Sequence, residues 1–278
     1  MYKLIKGLLL WGVMEIVSSR EIIKSDYFDY GTGNTSVLLS ATAYCDRSTY
    51  LTHDYSHPYT DTFVPTMEIY DEELDVNGFI GYREMDQTIY VTYEGSHSTQ
   101  DWINDFTFVK VDYENFSCQV HKGFYESVQS VITGVLEEVK RLRELYPSYK
   151  IVATGHSLGA ALATLTAVDL TEANIPTQIF NFGSPRIFDE DCAKEVSALV
   201  ENRVRVTHYK DIVPHTPLER MQFMHISGEW YEDNKGNIIP CESYEDDDCA
   251  DQWSKTNPDD HMWYLGFYVG CNSTQIMK

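Results

Sequence analysis

At 278 residues, 43% hydrophobic and 23% charged, the chain has the size and composition of one large or two small globular domains with a substantial core. Its net charge of -22 opposes binding to nucleic acid or to an anionic membrane surface, which leaves a neutral partner as the better fit. Beyond the leader described next, no stretch is long and apolar enough to span a bilayer.

Residues 1–19 carry Lys3 and Lys6, an apolar run from Leu8 to Val17, and then small residues, the pattern of a signal peptide cleaved before Arg20. Glu15 interrupts the run, and an amphipathic helix of the mature domain is the alternative. The mature domain is then 20–278. Between Asp26 and Thr52 the spacing of Val37, Leu38, Ala41 and Ala43 predicts a helix over one face of a sheet. Residues 53–65, polar and aromatic with two prolines, read as loop. Met67 to Tyr70, Gly78 to Tyr82 and Thr88 to Tyr93 read as successive strands, the last one buried.

Glu94-Gly95-Ser96 ends that third strand, where Ser96 is placed to offer an amide and a hydroxyl to an oxyanion. In the segment that follows, Trp102, Ile103 and Phe106 are apolar between Gln100, Asp101, Asn104 and Asp105. Such a segment is either a short helical lid with an apolar underside or a turn of helix tucked onto the core. A long amphipathic helix from His121 to about Tyr146 follows, with Phe124, Val128, Val131, Val135, Val139 and Leu142 on one face and Pro147 as its stop.

Lys150 to Thr154 is a buried strand and Ala160 to Leu170 a helix, and Gly155-His156-Ser157-Leu158-Gly159 joins them. A G-x-S-x-G between a strand and a helix holds the serine on a sharp turn with its hydroxyl exposed, and the next amide, that of Leu158, faces a developing oxyanion. Gln178 to Phe182 and Arg203 to Tyr209 are further strands with a helix from Asp189 to Leu199 between them. The alternation predicts an α/β fold with a mostly parallel sheet and helices on both faces. Ligands of such sheets bind at the carboxyl ends of the strands, where Ser96, Ser157 and Asp211 all fall.

A serine hydroxyl needs a base, and the base needs a carboxylate that fixes its tautomer. Asp211, directly after a strand, is the best-placed acid. Asp189 competes but suits a helix N-cap. His261, in a polar segment ahead of Met262-Trp263-Tyr264-Leu265, is preferred as base over His225; His215 is packed into the loop of Asp211. His156 is expected to hydrogen-bond the core and His97 to face solvent. Six cysteines behind a secretory leader read as bridges. Cys241 and Cys249 bracket an acidic loop, and Cys45 and Cys271 sit near the two ends of the mature domain. The acidic run 242–251 lacks the spacing of a calcium loop and reads as solvated. No metal or cofactor is called for.

Taken together, YVTYEGSHSTQDWINDFTF, VHKGF, YPSYKIVATGHSLGAALATLTAVDL, FNFGSPRIFD, DIVPHTP and DHMWYLG resemble the class 3 lipases, the fungal lipase-like α/β-hydrolases, in family order across about residues 88–271. The resemblance implies Ser157 as nucleophile, Asp211 as acid, His261 as base, and Ser96 with Leu158 as oxyanion contacts. It implies a lid carrying Trp102 and Ile103 that opens at a lipid interface, bridges Cys45–Cys271 and Cys241–Cys249, and no metal. Glu94 stands where the family usually has arginine, which puts the anchoring of the oxyanion loop in question. Cys118 and Cys192 are left over, and their pairing stays open.

The expectation is therefore a secreted, monomeric serine hydrolase on the α/β-hydrolase fold, most of all a triacylglycerol lipase acting on a neutral lipid ester at an oil–water interface. A soluble-ester esterase such as a feruloyl esterase, a phospholipase, and a non-catalytic lipid-binding protein are the alternatives.

Overall fold

The computed structural model describes residues 28–98 and 108–271. The apolar runs of the sequence become the inner strands of a sheet. β1 (Phe63–Asp71), β2 (Val76–Arg83) and β3 (Thr88–Tyr93) pair antiparallel at one side. β6 (Lys150–Gly155), β7 (Gln178–Phe182), β8 (Arg203–His208) and β9 (Glu229–Glu232) continue it in parallel from β3, and β10 (Ile238–Pro240) closes the far edge antiparallel. Among the described residues this makes eight strands in the order β1-β2-β3-β6-β7-β8-β9-β10. Two short hairpins lie outside it, β4 (Lys110–Asp112) with β5 (Gln119–His121) and β11 (Trp263–Tyr264) with β12 (Phe267–Tyr268).

Parallel neighbours need crossovers, and helices supply them. α2 (Lys122–Leu145) buries Phe124, Val128, Val131, Ile132, Val135, Val139 and Leu142, the stripe its three-and-four spacing predicts, and leaves its other side to solvent. α3 (Leu158–Glu172) is buried nearly all round because it sits between the sheet and α2. α4 (Glu190–Leu199) follows, with Asp189 as its N-cap accepting the amide of Cys192. On the opposite face α1 (Tyr30–Thr42) packs with Phe79, Tyr90, Phe180 and Tyr264 in a second apolar cluster. Helices thus cover both faces. Among the described residues no helix is long and apolar enough to cross a membrane.

Two expectations are corrected. Residues 63–65, assigned to loop for their proline, begin β1, and Pro65 is tolerated because β1 is an edge strand with its register shifted between Pro65 and Met67. The helical reading to Thr52 ends early, with α1 stopping at Thr42 and a separate 3₁₀ turn at Arg47–Thr52. The leader 1–19 and the lid positions Trp102 and Ile103 lie outside the described residues.

All six cysteines are paired, as Cys45–Cys271, Cys118–Cys192 and Cys241–Cys249. Cys45–Cys271 spans 226 positions and ties the end of α1 to the segment beyond β12. Constraint of the unfolded chain by so long a loop stabilises the fold. We expect Cys45→Ala with Cys271→Ala to lower the unfolding free energy by roughly 3–5 kcal/mol, read as a shift in urea midpoint.

Candidate active site

The turn between β6 and α3 holds Ser157 at φ 59° and ψ -126°, a conformation that L-residues rarely adopt. Glycines make it possible. A Cβ on Gly155 would lie 2.3 Å from the backbone of Gly159, so strand and helix could not approach as they do. The Ser157 amide donates to the Phe182 carbonyl on β7 at 3.0 Å, which pins the elbow to the next strand. Over-determined strain of this kind collects at functional sites.

Asp211 lies three positions after the end of β8 and is 2% exposed. Its Oδ1 accepts the amide of Val213 at 2.8 Å, and its Oδ2 lies 2.8 Å from Nδ1 of His261, itself 0% exposed. The Tyr264 hydroxyl donates to the same Oδ2. Burial pushes this carboxyl up, but the imidazole of His261, the Tyr264 hydroxyl and the Val213 amide outweigh it and hold Asp211 below the usual carboxylate range. The dyad leaves no room for a side chain at Gly183, where φ is +57° and a Cβ would sit 2.7 Å from the Tyr264 hydroxyl and 2.9 Å from Asp211 Oδ2.

The chain therefore pairs Asp211 with His261 from two separate segments, beside the residue that precedes Ser157. His156, next to Ser157, has its ring 4.2 Å from that of His261. Ser157 Oγ and His261 Nε2 are both buried and, among the described residues, neither has a hydrogen-bond partner. Leaving such atoms unpaired costs free energy, so this is a place where the fold holds two polar groups in reserve. Since Nδ1 of His261 faces a carboxylate, it carries the ring proton, and Nε2 presents its lone pair.

Ser96 is half-buried at the end of β3, and Leu158 opens α3, where the first amides lack intrahelical acceptors. The alternatives fall elsewhere. His225 is buried, with Nε2 2.8 Å from the Pro214 carbonyl, and Asp189 caps α4. Cys118, Asp189 and Cys192, and separately Glu229, Cys241 and Cys249, gather closely enough to suggest metal ligands, but the sulfurs of each group are bonded to one another. Two residues were missed from the sequence. They are Tyr264, in the hairpin that directly follows the turn of His261, and Gly183, just after β7.

This geometry has counterparts in known proteins. The profile of the lipase (class 3) family matches residues 90–221. A solved triacylglycerol lipase whose catalytic centre is a serine protease triad superposes with a TM-score of 0.79 at 31% identity, over 87% of this chain and 96% of that one. The chain belongs to the class 3 lipase family. Its fold is that of the α/β-hydrolases. A lipase of Rhizomucor miehei is 36% identical over 206 residues, 70% of this chain and 57% of the relative. The secreted mono- and diacylglycerol lipase A of Penicillium cyclopium is 34% identical over 159 residues, 56% of this chain and 52% of the relative. The chain thus spans a little over half the length of these two relatives.

Glu94 stands where the resemblance implies an arginine. It is 7% exposed, and its Oε1 lies 3.0 Å from Nε2 of His97 within the same loop, while its amide donates to the Asn77 carbonyl at 2.9 Å. The loop after β3 is therefore held both within itself, by Glu94 and His97, and to β2, through Asn77. His97, read as solvent-facing, is exposed yet engaged.

Burial, with Asp75 nearby, pushes the Glu94 carboxyl up to about 8. A carboxyl raised in the folded state stabilises fully below its unfolded value near 4.5, and the contribution is lost as pH rises through 8. Glu94→Gln should match wild type near pH 4 and exceed its Tm by on the order of 5 °C at pH 9, read by differential scanning fluorimetry.

Proposed function

We propose that this chain is a secreted serine hydrolase of neutral lipid esters, acting on acylglycerols at an oil–water interface. The observation that carries the reading is the buried Asp211–His261 pair at 2.8 Å beside a serine held at positive φ. The steps follow from the chemistry of these residue types. His261 Nε2 takes the proton of Ser157 as its oxygen attacks the ester carbonyl, and Asp211 stabilises the imidazolium that forms. The amide of Leu158 and the amide and hydroxyl of Ser96 receive the oxyanion of the tetrahedral intermediate. Collapse expels the alcohol, which takes the proton back from His261. Water, deprotonated by the same nitrogen, then releases the fatty acid and frees Ser157.

Support for secretion comes from the three disulfides and from the secreted Penicillium relative. Support for a neutral substrate comes from the net charge of -22, which opposes anionic phospholipid surfaces. A lid at Trp102 and Ile103 would respond to an interface rather than to dissolved ester.

Ser157→Ala is expected to lower kcat on p-nitrophenyl butyrate by at least about 1,000-fold with Tm preserved; wild-type turnover in that variant would exclude the mechanism. For the wild-type enzyme, tributyrin hydrolysis should rise steeply once the substrate passes its solubility limit and forms droplets. A hyperbolic curve without a break would identify an esterase of dissolved substrates instead.

A further inference from the structure

His156 lies inside the nucleophile elbow, yet the mechanism above gives its side chain no task. It is 1% exposed and makes two bonds of 2.7 Å, one from Nε2 to the backbone carbonyl of His261 and one from Nδ1 to the Tyr44 hydroxyl. These partners fix its protons. A carbonyl only accepts, so Nε2 carries hydrogen; Nδ1 is then bare, and the Tyr44 hydroxyl must donate to it. Burial and the neighbouring His261 both keep His156 uncharged. That suits a residue whose ring stands 4.2 Å from an imidazole that becomes cationic during the reaction.

Tyr44 carries the contact on to the loop of Gly95 and Ser96, where its hydroxyl oxygen packs against Gly95. A Cβ on Gly95 would lie 2.1 Å from that oxygen and 2.6 Å from the His156 carbonyl, so the tyrosine hydroxyl fills the space a side chain would take. The ring of His97 packs edge-on to Tyr44 with centroids 6.2 Å apart. The hydroxyl therefore stands where the loop of Gly95, the nucleophile elbow and, through His156, the base segment meet.

We propose that Tyr44 and His156 are positioning residues for ester hydrolysis, a neutral link of fixed tautomer that holds the backbone of His261 in register with the loop presenting Ser96. The inference rests on the serine hydrolase reading. The Asp211 bond fixes the His261 ring from one side, and the His156 bond fixes its main chain from the other. Without the second, the imidazole and the oxyanion donors are free to shift against each other, and a displacement of about 1 Å is enough to cost on the order of 100-fold in rate.

The test uses the full chain and counts competent sites by stoichiometric reaction with diethyl p-nitrophenyl phosphate, so that kcat is expressed per reactive serine. Tyr44→Phe removes one oxygen, and we expect kcat on p-nitrophenyl butyrate to fall about tenfold with KM within twofold and the rate constant of phosphorylation falling in parallel. His156→Gln keeps a donor for the His261 carbonyl but offers Tyr44 no ring nitrogen, and should lose a similar factor. The double variant should be no slower than the slower single one, because both changes break one chain of bonds. A Tyr44→Phe kcat per site within twofold of wild type, losses that multiply in the double variant, or a raised KM with kcat intact would overturn the proposal. Should Tyr44→Phe fail to fold, His156→Gln alone decides by the same kcat criterion. Ser157→Ala separates the two levels: if it retains turnover, the hydrolase reading fails, whereas an inactive Ser157→Ala beside a fully active Tyr44→Phe removes only this link.

Discussion

The hydrogen bond between Asp211 and His261 is the constraint on which the rest of the molecule depends. A carboxylate and an imidazole are costly to bury apart, and a buried carboxylate needs partners for its remaining lone pairs. The fold meets that condition from four directions. β8 ends just before Asp211, the Val213 amide caps its Oδ1, Tyr264 covers its Oδ2, and Gly183 withholds a side chain that would collide with the pair. The β11–β12 hairpin is in turn held by Glu232, whose carboxylate accepts the Leu265 amide at 2.7 Å. One buried carboxylate–imidazole pair thus constrains residues just after β7 and β8, on β9 and in the terminal hairpin.

The elbow supplies the complementary half. Its conformation is strained, and the strain is maintained by close packing of strand, turn and helix that tolerates only glycine at 155 and 159. Two buried atoms left unpaired, one on Ser157 and one on His261, add to the cost. The stability to bear both comes from elsewhere, from the two apolar clusters on either side of the sheet and from three disulfides.

What the sequence made legible is what local pattern controls. The stripe of α2, the all-apolar α3, the strand before the serine and the glycines flanking it are each written within a few residues, and the order serine, aspartate, histidine is that of the α/β-hydrolase pattern. Less legible were features set by distant partners. Glu229 and Glu232 make β9 look like a polar loop, yet Glu229 faces Arg205 at 3.0 Å and both acids are buried. In the acidic run 242–251, read as solvated, Glu245 and Asp251 turn inward to a buried Arg186 at 2.8 and 3.2 Å, so that only part of the run meets water. His156 was expected to bond the core, but its partners, 112 and 105 positions away, could not be named from periodicity.

The bridge between Cys45 and Cys271 has a topological consequence. With Cα atoms 4.6 Å apart, it makes residues 45–271 a closed covalent loop, threaded through every strand of the main sheet. A cut anywhere in that loop opens it without releasing a fragment, so a protease nicking an exposed turn would leave one molecule with new ends.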